Sequence, residues 1–295
     1  MKPCEFDYLR AATIDEACRA LDGAGGEARI IAGGQTLVPL MAMRLARPSL
    51  LVDINHIAEL SFIAEGGEHV AIGACTRQAE IHDSPIIARR LPLLAKAIRF
   101  VGHGQTRNRG TIGGSLANAD PSAEIPLVFA TLGGEVSAAS IEGTRQIDAD
   151  GFFDSAMVTM LAPNECLSEI RFPVWGAART GSGFAEVNMR RSDFAICAAA
   201  AQLTMEADGT CARIRIGVSG VAPAPLRLGE IEDALAGTTL DDDTVNRETS
   251  NIGDMIDPES DIHAGADYRR RVTAALAARA ILEARAEAFG DAEAP

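Results

Sequence analysis

The strongest constraint on this chain is a pair of glycine doublets, each set between an apolar run and a helical pattern. "ARIIAGGQTLVPL" (28–40) runs from a short buried strand through Gly33 and Gly34 into a segment that can begin a helix, with Pro39 suited to its first turn. "GTIGGSLANADPSAEIPLVFATLGGEVSAAS" (110–140) repeats the design: a glycine-rich turn at Gly113 and Gly114, an Asp-Pro helix start, a helix, then the strand "EVSAAS". Glycine lacks a Cβ and tolerates positive φ, so successive N–H groups at such a turn can converge on an anion. Gln35, Thr36, Thr111, Ser115 and Asn118 can add side-chain hydrogen bonds. Two such turns fit a ligand with two phosphates and a long polar reach. No Lys follows Gly33 and Gly34, which excludes a P-loop for nucleoside triphosphates.

A third glycine-rich stretch, "GAGGEA" (23–28), formally fits the dinucleotide fingerprint G-x-G-x-x-G/A. That fingerprint works only after a strand and before a helix. Here the order is reversed: "TIDEACRALD" (13–22), a helix with Thr13 and Glu16 as a capping box, precedes it and a strand follows. The stretch reads as a helix stop and loop.

Net charge is −14 over 295 residues, spread along the chain, and Lys2 and Lys96 are the only lysines. Nucleic-acid binding needs clustered cations, so that class is disfavoured. The cysteines (Cys4, Cys18, Cys75, Cys166, Cys197, Cys211) and the dispersed histidines form no zinc or iron–sulfur spacing, so no metal site is expected. The apolar share is 47%, yet no run reaches membrane-spanning length, and the start lacks a basic-then-apolar leader. A cytoplasmic protein without membrane insertion is the expectation.

The remaining pattern is mixed. "LLVDI" and "HVAIGACT" read as strands, and 76–102 as helix broken at Pro85 and Pro92. A helical patch is expected before the turn at Pro163 and Asn164, with "CLSEIRFPV" a strand beyond it. "GAARTGSG" (176–183) breaks the pattern and marks a domain boundary. "CAAAAQLTME" and "CARIRIGVSGV" form a hairpin turning at Asp208 and Gly209, and 268–289 is a terminal helix. These elements predict an α+β protein with units at 1–176, itself divided near residue 55, and 177–289, then a frayed tail at 290–295.

"AGGQTLVPLMAMRLARPSLLVDI" and "TIGGSLANADPSAEIP" resemble the two FAD-binding motifs of the medium subunits of molybdenum hydroxylases, the family of xanthine and carbon monoxide dehydrogenases. The resemblance continues through "FAEVNMRRSDFAICAAA" (184–200) and the terminal helix, nearly the whole chain. It implies a two-part FAD-binding domain of the PCMH/vanillyl-alcohol-oxidase type and a C-terminal domain built on a three-stranded sheet with helices.

The resemblance also implies site residues. Ile30, Ile31, Ala32, Gly33, Gly34, Gln35, Thr36 and Leu37 would wrap the FAD diphosphate. Thr111, Gly114, Ser115 and Asn118 would approach the diphosphate and ribityl chain, with Glu124 at the sugar and Ala123 beside it. For Glu124, capping the following helix is the alternative. Val101, Gly102, Thr106 and Gly110 would lie beside the flavin and Leu167 would pack on it. Glu186 stands where the family commonly has Lys; a carboxylate there would either turn away from the ring or lower its potential. No catalytic acid or base is nominated, because a flavin carries the chemistry itself.

The implied partners are a large molybdopterin subunit and a small subunit with two [2Fe–2S] clusters, in a dimer of heterotrimers, with an external electron acceptor. A stand-alone flavoenzyme and a non-catalytic nucleotide-binding protein are the alternatives. Flavin colour and co-purifying partners separate them.

Overall fold

The computed structural model describes residues 2–290. Of the tail expected to fray, 291–295 lie outside the described residues. The chain opens with β1 (Asp7–Arg10), α1 (Ile14–Gly23), β2 (Ala28–Ile31), α2 (Leu37–Ala42) and β3 (Leu50–Asp53). The strands form a parallel sheet in the order β1-β3-β2. The Thr13 hydroxyl accepts from Glu16 N (3.1 Å), and the Glu16 carboxylate accepts from Ala12 N (2.7 Å), so the expected capping box closes one residue early. "GAGGEA" is the helix stop: Gly25 and Gly26 turn the chain at φ 56° and 92°.

A second body follows: β4 (Ile63–Glu65), β5 (His69–Gly73), α3 (Gln78–Asp83), α4 (Pro85–Arg90), α5 (Pro92–Ala97), α6 (Gly104–Arg107), α7 (Ile112–Asn118), α8 (Glu124–Leu132), β6 (Glu135–Ser140), β7 (Gly143–Asp148), β8 (Phe153–Ser155), β9 (Val158–Thr159) and β10 (Cys166–Pro173). Its antiparallel sheet has the order β4-β5-β10-β6-β7. Pro85 and Pro92 each start a helix, where the missing N–H costs nothing. Helix α8 is buried along its whole length and packs with Phe152 and Phe172 in one core.

Two expectations fail here. Gly113 and Gly114 do not form a turn; they lie in the first turn of α7, capped by the Thr111 hydroxyl on Gly114 N (3.1 Å). A Cβ on Gly113 would sit 2.6 Å from Ala74 Cβ, so this glycine lets α7 settle on the end of β5. The helical patch expected before Pro163 is instead the hairpin β8–β9, preceded by a single 3₁₀ turn at Ala149–Gly151. Strands this short carry too few residues to show their period.

The third body comprises β11 (Thr180–Asn188), β12 (Ala195–Met205), β13 (Cys211–Ser219), β14 (Leu226–Arg227), α9 (Gly229–Leu235), α10 (Asp242–Thr249), α11 (Ile252–Met255) and α12 (Ala266–Phe289). The hairpin of β12 and β13 turns at Asp208 and Gly209 as its sequence indicates. The sheet has three long strands, as expected, plus the two-residue β14 at its edge. "GAARTGSG" is only partly a break, because β11 starts at Thr180 and contains Gly181 and Gly183. A Cβ on either would strike the carbonyl oxygens of Ala284 and Ala280 on α12, so these glycines let helix and strand backbones touch.

Strand β12 is apolar on both faces. Ala198 and Ala200 join the core of α8, while Cys197, Ala199 and Ala201 join the core under α12. The first core therefore crosses the expected boundary at 176/177.

Candidate cofactor site

Both glycine motifs open onto one cavity of about 850 Å³, toward the upper end of the ~300–1,000 Å³ usual for small-molecule sites. Its walls include every nominated residue from Ile30 to Leu37, together with Val101, Gly102, Thr106, Gly110, Thr111, Gly114, Ser115, Asn118, Ala123, Glu124 and Leu167. Glu186 is not on the wall.

The first loop leaves β2 and turns at Gly34, whose φ of 70° a side chain would strain. Among the described residues, none of the N–H groups from Gly33 to Thr36 donates a hydrogen bond within the chain. The Thr36 hydroxyl is equally uncommitted, since Thr36 makes no side-chain cap on α2. Such a row of free donors at a concave wall is a nest for an anion, and no Lys is needed to neutralise it. Gly33 lies against the second motif: a Cβ there would stand 2.5 Å from Arg109 O and 2.8 Å from Gly110 Cα. The two loops thus touch through backbone that only glycine exposes.

The second motif differs from what its sequence suggests. Ile112 N donates to Thr76 O (3.1 Å), Gly113 N to Ala74 O (3.0 Å) and Ser115 N to Thr111 O (3.1 Å). With Gly114 N taken by the cap, this segment can offer a ligand its side chains and a Cβ-free surface rather than an N–H nest. Ser115 and Asn118 line the cavity from α7, with Asn118 Nδ2 3.8 Å from Met157 Sδ.

Glu124 begins α8 and is nine-tenths buried on the cavity wall. Burial lifts its carboxyl to about 8, and the charges of Glu186 and Asp120 add to the rise. Glu186, on β11, is off the wall: its Oε1 accepts from Asn188 Nδ2 (2.7 Å), its Oε2 is buried without a partner among the described residues, and burial lifts it to about 7. Leu167 reaches the wall beside an irregularity in the pairing of β10 with β6, the kind of bulge that re-aims a side chain.

At the other end, Gly102 turns at φ 47° and Arg107 Nη1 donates to the carbonyls of Val101 (2.9 Å) and Gly102 (2.8 Å), fixing that bend. Gln78, under Gly110, keeps a buried Oε1 without a partner among the described residues.

Several wall residues carry no local signature. Met157, Thr159 and Leu161 come from the β8–β9 hairpin region, and Glu165 from the start of β10. Glu165 is gripped by Arg145, Nε to Oε1 at 2.6 Å and Nη2 to Oε2 at 2.9 Å, which holds its carboxyl below the usual range. Ser192, Asp193 and Phe194 arrive from the loop between β11 and β12, where Ser192 has φ 68° and Phe194 is 73% exposed. Pro163, in the turn that the sequence marks before β10, also lines the cavity.

A cavity with a backbone anion nest on one motif and polar side chains on the other, closed by apolar residues such as Val101 and Leu167, defines a dinucleotide-binding α+β protein. The residues present fit FAD, because the nest takes the diphosphate without cations and the glycine contact leaves room for it. Residues 4–175 match the family described as the FAD binding domain in molybdopterin dehydrogenase, and 182–284 match the CO dehydrogenase flavoprotein C-terminal domain.

Relatives include the 6-hydroxypseudooxynicotine dehydrogenase complex subunit alpha of Paenarthrobacter nicotinovorans, 39% identical over 96% of each chain. The carbon monoxide dehydrogenase medium chain of Afipia carboxidovorans is 36% identical over 98% of this chain and 99% of the relative. A solved carbon monoxide dehydrogenase from Hydrogenophaga pseudoflava, lacking the Mo-pyranopterin moiety of its cofactor, superposes with a TM-score of 0.93 at 36% identity, covering 97% of this chain and 99% of that one. The chain belongs to the FAD-binding medium subunits of CO-dehydrogenase-like molybdenum hydroxylases, a family of oxidoreductases.

Proposed function

We propose that this chain binds FAD between its two glycine motifs and forms the electron-exit subunit of a molybdenum hydroxylase. In this reading it receives electrons from a small subunit with two [2Fe–2S] clusters, which a large molybdopterin subunit supplies by oxidising substrate. It delivers them to an external acceptor such as a quinone, cytochrome, oxygen or a nicotinamide. The relatives named as a complex subunit and a medium chain support such partners, and we propose a dimer of heterotrimers. Six free thiols suit a reducing, cytoplasmic setting. We read the chain as two units meeting near residue 176, the first divided near 55; the separate sheets support this reading, and one hydrophobic core spans the junction at 176.

The observation that carries the reading is the row of N–H groups from Gly33 to Thr36, unpartnered among the described residues, on a cavity that the second motif also lines. FAD, when bound, supplies reversible electron storage that no side chain here possesses. The chain's own part is placement. The first loop grips the diphosphate, while Ser115 and Asn118 hydrogen-bond the polar linker. At neutral pH the Glu124 carboxyl keeps its proton, so it can donate to one sugar hydroxyl and accept from another. Val101 and Leu167 keep water from the ring.

Gly34→Val tests this. A β-branched residue at φ 70° is strained, and its Cβ would press on Val38 Cγ2 at 3.2 Å. A folded chain with unchanged far-UV circular dichroism and less than about a tenth of the wild-type flavin absorbance is expected. Full flavin content in that variant sinks the proposed clasp. Pull-down of the tagged wild type should bring iron–sulfur and molybdenum subunits; flavin without either would favour a stand-alone flavoenzyme.

A further inference from the structure

Behind the two loops runs a line of side-chain hydrogen bonds that contributes nothing to the cavity wall. The Tyr8 hydroxyl on β1 donates to Asp53 Oδ2 at the end of β3. Asp53 Oδ1 accepts from Asn55 N (2.9 Å) and Asn55 Nδ2 (2.6 Å). Asn55 Nδ2 also donates to Ala32 O (2.8 Å), the carbonyl preceding Gly33. Asn55 Oδ1 accepts from Arg77 Nη2 (2.7 Å), and Arg77 Nη1 donates to Arg109 O (2.5 Å). That oxygen is the atom against which Gly33 packs. Arg77 is itself fixed, pairing with Thr111 in an isolated antiparallel bridge and donating its N–H to Glu80 Oε2 (2.8 Å).

One carbonyl at the root of the first loop and one before the second are thus held by the two ends of an Asn–Arg pair. The Gly33–Gly110 contact is repulsive at short range and so sets only how closely the loops approach. The hydrogen-bonded pair sets how far they can separate. A planar guanidinium suits this task because its fork reaches two acceptors at once. Among the described residues, the N–H groups of Gly33 to Thr36 have no partner to keep them aimed. Inside the loop, Gly33 O accepts from Gln35 Nε2 (3.2 Å) and Gly34 O from Val38 N (3.1 Å), but neither bond reaches the second motif, so the gap between the loops depends on the backbone at the loop's root.

We propose that Asn55 and Arg77 are positioning residues for the dinucleotide: they fix the gap between the two loops, so FAD affinity depends on two side chains that never touch the cofactor. The proposal rests on the FAD reading above. A loop held ready in its binding conformation loses less entropy when the ligand arrives, and removing the strut returns that cost to the binding step.

The test uses the full chain stripped of flavin, with FAD titrated by fluorescence quenching and amide exchange followed by mass spectrometry. Arg77→Gln and Asn55→Leu should each raise the FAD dissociation constant by about tenfold or more. Exchange should quicken at 109–112, where the Arg109, Gly110 and Ile112 amides are hydrogen-bonded, while the rest of the parallel sheet keeps wild-type protection. Arg77→Lys retains the charge but not the fork and should fall between wild type and Arg77→Gln. Unchanged affinity and unchanged loop exchange in both severe variants overturn the proposal. So does exchange quickened evenly across the sheet, which would make the network a general support of the fold. Wild-type chain that binds no FAD would defeat the FAD reading, and the loop-exchange comparison would still decide whether the strut exists.

Discussion

Glu124 shows how a single residue can be visible in sequence while its chemistry is not. A glutamate at a helix start normally reads as an ionised cap, favoured by the helix dipole. Here desolvation outweighs that, and the carboxyl rises from 4.5 to about 8. The sign follows: between those values the folded chain keeps a proton that the unfolded chain has released. Stability from this site is therefore greatest below about 4.5 and falls as pH climbs toward about 8. Glu186, lifted to about 7, acts in the same direction. Glu124→Gln should flatten the decline: its urea midpoint relative to wild type should rise as pH goes from about 5 to about 8. Parallel curves for the two proteins would refute the buried, protonated carboxyl. The nominated residues other than Glu186 gather on one wall because each motif is a continuous segment that carries its neighbours with it. Glu186 is assigned only by register with a family lysine, and it lies off the cavity wall, where its charge raises Glu124.

At the scale of elements, glycine misleads in both directions. Gly113, Gly181 and Gly183 look like breakers, yet they lie inside a helix and a strand because another backbone comes within contact distance. Nothing local records that approach, since the partners Ala74, Ala280 and Ala284 are far away in the chain. Gly183→Ala should therefore destabilise the protein by about 1–3 kcal/mol through overpacking, although alanine is the better residue in isolation. Urea unfolding measures this, and a neutral or stabilising result would mean that α12 can shift away from β11 without cost. The proline-started helices α4 and α5 and the hairpin at Asp208 and Gly209 were legible, because their signals lie within a few residues. Strands β8 and β9 were not, being too short to show alternation.

At the scale of the molecule, the bodies are joined by shared core and by one lysine. Lys96 Nζ, at the end of α5, donates to Ser182 O (2.6 Å), Glu283 Oε1 (2.8 Å) and Glu287 Oε2 (2.9 Å). Glu287 Oε2 also accepts from Ser182 N (2.8 Å), so strand, helix and lysine meet at one carboxylate. Lys96→Met should cost about 1–3 kcal/mol by leaving partly buried acids unpaired, and adding Glu287→Gln should recover some of it. Equal urea midpoints for wild type and Lys96→Met would show the tie to be idle. By itself the sequence determined what is local: two glycine motifs able to hold a diphosphate, their strand and helix settings, and the family they mark. Tertiary structure decided which motif offers free N–H groups, that Gly33 meets Arg109 and Gly110, and that β8, β9 and the loop before β12 complete the wall. The division has one cause: backbone conformation follows from neighbouring residues, whereas hydrogen-bond partners and desolvation depend on segments that meet only when the chain is folded.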